Sequence, residues 1–240
     1  MKIISLNTWG GKVNTALLNF LKEQQDIDVF CFQEVYHNAH GKSPNTDPEV
    51  NFDMYSDMEK SLPGHKGFFG PSVQDYYGQA IFVKNSFNID NEGSVLVHRG
   101  TGGGGIGNHD RTMQWIEFDY EDKPYTLMNV HGLWNGMGKT DTPDRIAQSQ
   151  VIRKFLDNTN RMKILLGDFN LLPNTDSLKV VEEGMVNLIK KYNIQSTRTS
   201  FYTKPEKFAD YALVSPEVVV KDFKVLPNEV SDHSPMYIEI

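Results

Sequence analysis

The segment KILLGDFNLLP, residues 163–173, runs three apolar residues into Gly167, Asp168 and, two positions on, Asn170. In an extended chain residues two apart face the same side, so a carboxylate and an amide would be presented together. The apolar run predicts a strand buried on both faces, and strand ends are where sheet proteins place their chemistry. Taken alone, the segment reads equally well as a strand cap, because Asp and Asn are ordinary turn residues. The same event recurs, however. Asn7 follows KIISL, Glu34 follows DVFCFQ, His131 follows YTLMNV, and Asp232 with His233 stands in SDHSP just before the last apolar stretch. Asp210 interrupts the apolar FADYALV. A buried carboxylate is costly unless it is paired or holds a metal. Carboxylates with Asn are hard oxygen donors, suited to Mg²⁺ or Mn²⁺ rather than to zinc or copper. Histidines without a nucleophilic serine elbow suit proton transfer and phosphate contact. Together these residue types point to metal-assisted phosphoester hydrolysis.

The elements that would position them follow from hydrophobic pattern. KIISLN and DVFCFQEV predict strands, separated by a helix over NTALLNFLKEQQ whose stripe is Leu17, Leu18, Phe20 and Leu21, with Asn14 as its cap. Residues 37–66 are polar and rich in Pro and Gly, and predict a long loop with a short helix near Met58. YGQAIFVKN and GSVLVH predict strands, and RTMQWIEFDY with PYTLMNVHG a hairpin turning at EDKP. A helix follows over TPDRIAQSQVIRKFLDN, with Thr142 as cap and Pro143 in its first turn. TDSLKVVEEG and MVNLIKKY predict short helices, and FADYALVS, EVVVKDFKVL and PMYIEI the closing strands. No repeat and no Pro/Ser linker divides the chain, so residues 1–240 are expected to form one α/β (α+β) domain. The excess of strands suggests two packed sheets flanked by helices.

Composition narrows the partners. Lys plus Arg total 24 against 31 Asp plus Glu, a net charge of −7. That balance offers no broad basic face for duplex nucleic acid and leaves short or small phosphorylated substrates open. A bound cation would supply local positive charge of its own. Cys31 is the single cysteine, so neither an internal disulfide nor a Cys-based zinc site is expected. No apolar run approaches membrane-spanning length, and the N-terminus makes a poor signal peptide, so a cytoplasmic protein, monomeric, is expected.

Other motifs are weaker. RGTGGGGIGN satisfies G-x-G-x-x-G, but the following RTMQWIEFDY predicts strand rather than the helix a dinucleotide site needs, so a loop at the cleft rim is expected. Arg111 opens that strand and could reach a substrate phosphate. Arg145 shares a helical face with Ser149, Ile152 and Leu156. An inward arginine needs an anionic partner, either a substrate phosphate or an active-site carboxylate. Lys139 and Trp134 lie near His131 and either shape the substrate mouth or belong to a surface loop.

Over essentially its whole length, and in the same order, the chain resembles the endonuclease/exonuclease/phosphatase superfamily through LNTW, FQEV, NVHG, GDFN, FADYALVS and SDHSP. GDFN followed by SDH is the specific part. The resemblance implies two packed, mainly antiparallel sheets in a four-layer sandwich and a Mg²⁺- or Mn²⁺-dependent phosphoesterase. Asn7 and Glu34 would help to hold the cation, with Asp232 near it. Asp168 would orient or deprotonate the attacking water, and Asn170 would support that water and the phosphate. His233, oriented by Asp210, would contact the scissile phosphate, and His131 would donate to the phosphate or leaving group. Substrates implied are nucleic acid, a nucleotide, or a small phosphorylated molecule or lipid headgroup. Two departures point away from abasic-site repair. Trp9 stands where repair endonucleases carry an acid, which argues against a second cation anchored there, and His131 stands where that branch has a different arrangement with a tyrosine.

Overall fold

The structure, a computed structural model, describes residues 1–101 and 109–240. The glycine-rich segment expected as a cleft-rim loop falls mainly in 102–108, outside the described residues.

One six-stranded sheet contains β1 (Lys2–Asn7), β2 (Val29–Tyr36), β3 (His65–Val73), β4 (Tyr77–Lys84), β11 (Asp222–Val225) and β12 (Met236–Glu239), in the order β11-β12-β1-β2-β4-β3. The other contains β5 (Ile89–His98), β6 (Arg111–Tyr120), β7 (Lys123–His131), β8 (Met162–Asp168), β9 (Val186–Asn187) and β10 (Asp210–Val214), in the order β5-β6-β7-β8-β10-β9. Each sheet has a single parallel pairing at its centre, β1 with β2 and β7 with β8, and the pairings around it are antiparallel. The helices are α1 (Asn14–Glu23), α2 (Met54–Ser61), α3 (Pro143–Asp157), α4 (Asp176–Glu182) and α5 (Leu188–Lys191). The result is the expected four-layer α/β sandwich.

Period-2 alternation divides the apolar residues of β1, β2 and β4 between two cores. Ile3, Val29, Cys31, Ile81 and Val83 belong to the core shared with the second sheet. Ile4, Leu6, Phe30, Phe32, Ala80 and Phe82 pack with Leu17, Phe20 and Leu21 of α1 and Met54 and Met58 of α2. Both faces of these strands are therefore covered, which is why their sequences run apolar without a break. Between the sheets, just below the strand ends, the core turns polar. Gln33 Nε2 donates to Asn129 Oδ1 (2.6 Å), Asn129 Nδ2 to the Phe32 carbonyl (2.9 Å), and Gln79 Nε2 to the Thr112 carbonyl (2.7 Å). These bonds stitch the two sheets together under the site.

Local expectations differ from the structure in four places. α1 begins at Asn14, but its N-cap is Val13; the Asn14 side chain instead accepts from Asn51 Nδ2. β3 lies in a stretch of Gly and Pro that masks its pattern, and Pro71 is tolerated there because β3 is an edge strand. MVNLIKKY divides into β9 and α5, with the Asn187 side chain capping the helix. Only Asp222–Val225 of EVVVKDFKVL is strand.

Candidate active site

Register alone assembles half of the site. His131, at the end of β7, lies opposite Asp168 at the end of β8, and Asp168 lies opposite Asp210 at the start of the antiparallel β10. Directly opposed residues share a face, so the three form one row across the sheet. Gly167 makes the approach possible. Its φ is +133°, and a Cβ there would stand 2.1 Å from the Val130 carbonyl oxygen. Asn7, at the end of β1, reaches this row from the other sheet. Its Nδ2 donates to Asp168 Oδ2 (2.9 Å) and to Glu34 Oε1 (3.0 Å), while its Oδ1 accepts the Trp9 N–H (2.9 Å). The amide therefore meets the two carboxylates as a donor that spaces them.

Alternation along β2 would send Glu34 to the outer face with Phe30 and Phe32. A β-bulge between Phe32 and Val35, with Glu34 at φ +59°, turns it into the cleft instead. Thr8 fixes the bulge, its Oγ1 donating to the carbonyls of Gln33 (3.0 Å) and Glu34 (2.9 Å). Asn170, also at positive φ, donates its backbone N–H to Asp168 Oδ1 (2.8 Å) and its Nδ2 to the Gly132 carbonyl (3.3 Å).

Two histidines converge on Asp168. His131 Nε2 lies 3.6 Å from Glu34 Oε1 and 4.0 Å from Asp168 Oδ2. His233 Nε2 lies 3.7 Å from Asp168 Oδ2 and 3.7 Å from Asp232 Oδ1. The other ring nitrogen of His233, Nδ1, donates to Asp210, 2.8 and 2.9 Å from its two oxygens, and Thr197 Oγ1 also donates to Asp210 (2.8 Å). Burial pushes His233 down to about 4 and Asp210 up to about 6, so at neutral pH a neutral imidazole faces a carboxylate. His131 is held well below its ordinary value by burial first and by Arg111 second. Nη1 of Arg111 lies 3.0 Å from both ring nitrogens of His131, an equidistance that places the guanidinium over the ring face rather than along one N–H axis. Arg111 is 3% exposed, and its Nε is buried without a partner among the described residues.

Glu34 is pushed up to about 7 by burial and then by Asp232 and Asp168, against the opposing bond from Asn7. Its folded-state value lies above the ordinary one, so the metal-free protein loses stability as pH rises from about 4.5 through about 7. Gln cannot ionise. In chelator, the melting temperature of Glu34→Gln relative to the parent is expected to rise between pH 5 and pH 8, read by scanning calorimetry. An unchanged difference would remove Glu34 from the acid cluster.

A cleft of about 1080 Å³ opens over Glu34, Arg111, His131, Asp168, Asn170, Asp232 and His233. Asp232 lines the cleft, its Oδ1 3.7 Å from His233 Nε2 and its Oδ2 3.4 Å from Arg198 Nη1. One assignment changes. Arg145 faces inward on α3 as its helical spacing predicts, yet it does not line the cleft. Fully buried, it donates to the carbonyls of Leu133 (3.3 Å), Gly138 (2.6 Å) and Thr140 (2.6 Å). Backbone oxygens take the place of the expected phosphate or carboxylate, so Arg145 fastens the loop after β7. Both Lys139 and Trp134 of that loop line the cleft, as do His109, Arg198 and Tyr202. The last three carry no sequence signal, because they sit in irregular polar segments.

The model of the Endonuclease/Exonuclease/phosphatase family matches residues 4–233. No curated protein matches the chain. Among solved structures, a mannosyl-6-phosphatase of Bacteroides thetaiotaomicron superposes with a TM-score of 0.77 at 19% identity, covering 100% of this chain and 98% of that one. A conserved protein of unknown function from Enterococcus faecalis gives 0.76 at 19%, covering 100% and 98%. Humanized D. rerio TDP2 gives 0.73 at 15%, covering 99% and 97%. These likenesses establish the fold, and with the strand-end residues and the near-complete family match they place the chain in the endonuclease/exonuclease/phosphatase family.

Proposed function

We propose that residues 1–240 form one catalytic domain that hydrolyses phosphoesters with a divalent cation, Mg²⁺ or Mn²⁺. The observation that carries this reading is the convergence on Asp168 Oδ2, which accepts from Asn7 and faces Nε2 of both His131 and His233 within 4.0 Å. The donor set fits a hard cation. Glu34 and Asp168 would supply carboxylate oxygens, and with His131 each offers a ligand atom within 4.8 Å of the others. When bound, such an ion would polarise the phosphoryl oxygens and the attacking water. Asp168, held by Asn7 and Asn170, orients that water and takes its proton. His233, its Nδ1–H bound to Asp210, presents a bare Nε2 to the site; once that nitrogen has accepted the proton that Asp168 takes from water, the imidazolium, stabilised by Asp210, donates to the phosphoryl group. His131 and Arg111 approach from the Glu34 side and meet the phosphate or leaving oxygen.

The ester is a phosphodiester of nucleic-acid or nucleotide type, or a small phosphorylated metabolite or lipid headgroup. The placement of positive charge favours the small substrate. The net charge is −7, and the cations nearest the site are buried within the cleft, Arg111 at 3% and Lys139 at 4% exposure, where a long duplex gains little from them. A catalytically silent binding module is disfavoured because no proton-transfer or water-holding residue is missing. No helix among the described residues is long and apolar enough to cross a membrane. A cytoplasmic monomer goes with this reading.

A panel separates the substrates: chromogenic phosphomonoester and phosphodiester, single- and double-stranded DNA, RNA and sugar phosphates, each with Mg²⁺, Mn²⁺ or chelator. Small esters are expected to be cleaved faster than duplex DNA, with weak salt dependence. Faster duplex cleavage that falls steeply with salt would reverse the substrate assignment.

A further inference from the structure

Lys139 is the most conspicuous group that the proposed chemistry leaves unused. Lys139 is 4% exposed, yet no carboxylate among the described residues lies within ion-pair distance of its ammonium. Its one polar partner among the described residues is neutral, the Tyr202 hydroxyl at 3.4 Å. An ammonium taken out of water without a counter-charge is costly, and burial lowers its tendency to hold a proton. The fold nevertheless fixes it in place. Arg145 binds the carbonyls of Gly138 and Thr140, immediately before and after it, and the Lys139 carbonyl accepts from Leu172 N–H (2.9 Å).

Beside it stands Arg198, whose side chain is 6% exposed. Its guanidinium lies 4.0 Å over the Tyr202 ring and donates from Nη1 to Asp232 Oδ2 (3.4 Å), while its Nε is buried without a partner among the described residues. Lys139 lies 5.0 Å from the centre of the same ring. Tyr202 thus backs two cations that face one wall of the cleft. Arg111 touches His131 instead.

We propose that Lys139 and Arg198 form a second anion subsite beside the hydrolytic centre, taking a second phosphate group carried by the substrate. The inference rests on the proposed function only in placing the scissile phosphate at Asp168. A charge-assisted bond to phosphate would satisfy the unpaired ammonium and the free guanidinium N–H. The second phosphate could belong to a nucleoside diphosphate or to a sugar with two phosphates.

Binding, measured apart from turnover, tests it. Calorimetry with saturating Mg²⁺ would compare methylenediphosphonate, a non-hydrolysable probe with two phosphonates, with methylphosphonate. The parent is expected to bind the first at least about tenfold more tightly. Lys139→Met should remove that advantage while weakening methylphosphonate less than about threefold. Equal losses for both probes, or no loss for either, would overturn the proposal. Lys139→Met should also raise the melting temperature of the ligand-free protein, because an unpaired buried charge is removed; a lowered value would make Lys139 a structural prop for Tyr202 and equally overturn it. Fructose 1,6-bisphosphate and adenosine 5′-(α,β-methylene)diphosphate distinguish the sources. Tight binding of the first assigns a sugar and of the second a nucleotide, and failure of both to exceed methylphosphonate counts against the subsite. A protein that hydrolyses nothing yet prefers the diphosphonate would sink the proposed function and leave the subsite standing.

Discussion

An Asp168→Asn variant is expected to turn over at least about 10³-fold more slowly than the parent, with the fold intact. Both carboxylate oxygens are committed, Oδ1 to the Asn170 N–H and Oδ2 to Asn7, and Oδ2 is the point toward which both imidazoles are aimed. Asn keeps the volume and one acceptor, but it removes the charge that would take a proton from water. Its amide would also meet the Asn7 amide donor to donor. Packing should survive because the row His131–Asp168–Asp210 is set by strand register rather than by the charge. The measurement is turnover of the best ester from the panel, accompanied by a thermal melt. A folded variant within tenfold of the parent would move water activation to another residue.

The second large effect concerns Asp210. Asp210→Asn should lower turnover about 10²-fold or more while changing KM less than about threefold. The 2.8 Å bond from His233 Nδ1 leaves Nε2 as the nitrogen facing the phosphate, and burial alone would keep that ring neutral. The carboxylate matters most when positive charge appears on the ring, which is in the transition state, so the loss should fall on turnover. pH offers a second readout. Asp210 is pushed up to about 6, so parent activity should fall as pH drops through that value and the carboxylate takes a proton. The variant should lack this acid limb. Equal losses in affinity and turnover, with the limb retained, would leave Asp210 a merely structural neighbour.

Particular residues show what was legible in the sequence. Asn7, His131, Asp168 and Asp210 could be found because strand ends and period-2 alternation are local properties, and the register that aligns them follows from the same apolar runs. Glu34 follows the same strand-end pattern, but alternation puts it on the wrong face. Only the bulge at positive φ brings it into the cleft, and a bulge leaves no periodic trace. The inward face of Arg145 was legible, whereas its partners were not, because backbone carbonyls of the loop before its helix carry no side-chain signature. Arg198, Tyr202 and His109 sit in irregular segments, where tertiary path alone decides what reaches the site.

The central claim is that Asp168, Glu34 and the two histidines hydrolyse phosphoesters around a divalent cation. Its most direct test is phosphate-ester turnover by purified protein before and after dialysis against EDTA, with Mg²⁺ or Mn²⁺ then restored, and with Glu34→Gln carried in parallel. Turnover is expected to fall to background in chelator, to return with either metal in the parent, and to stay low in Glu34→Gln although that variant melts as a folded protein. Undiminished turnover by the parent in metal-free buffer would contradict the account.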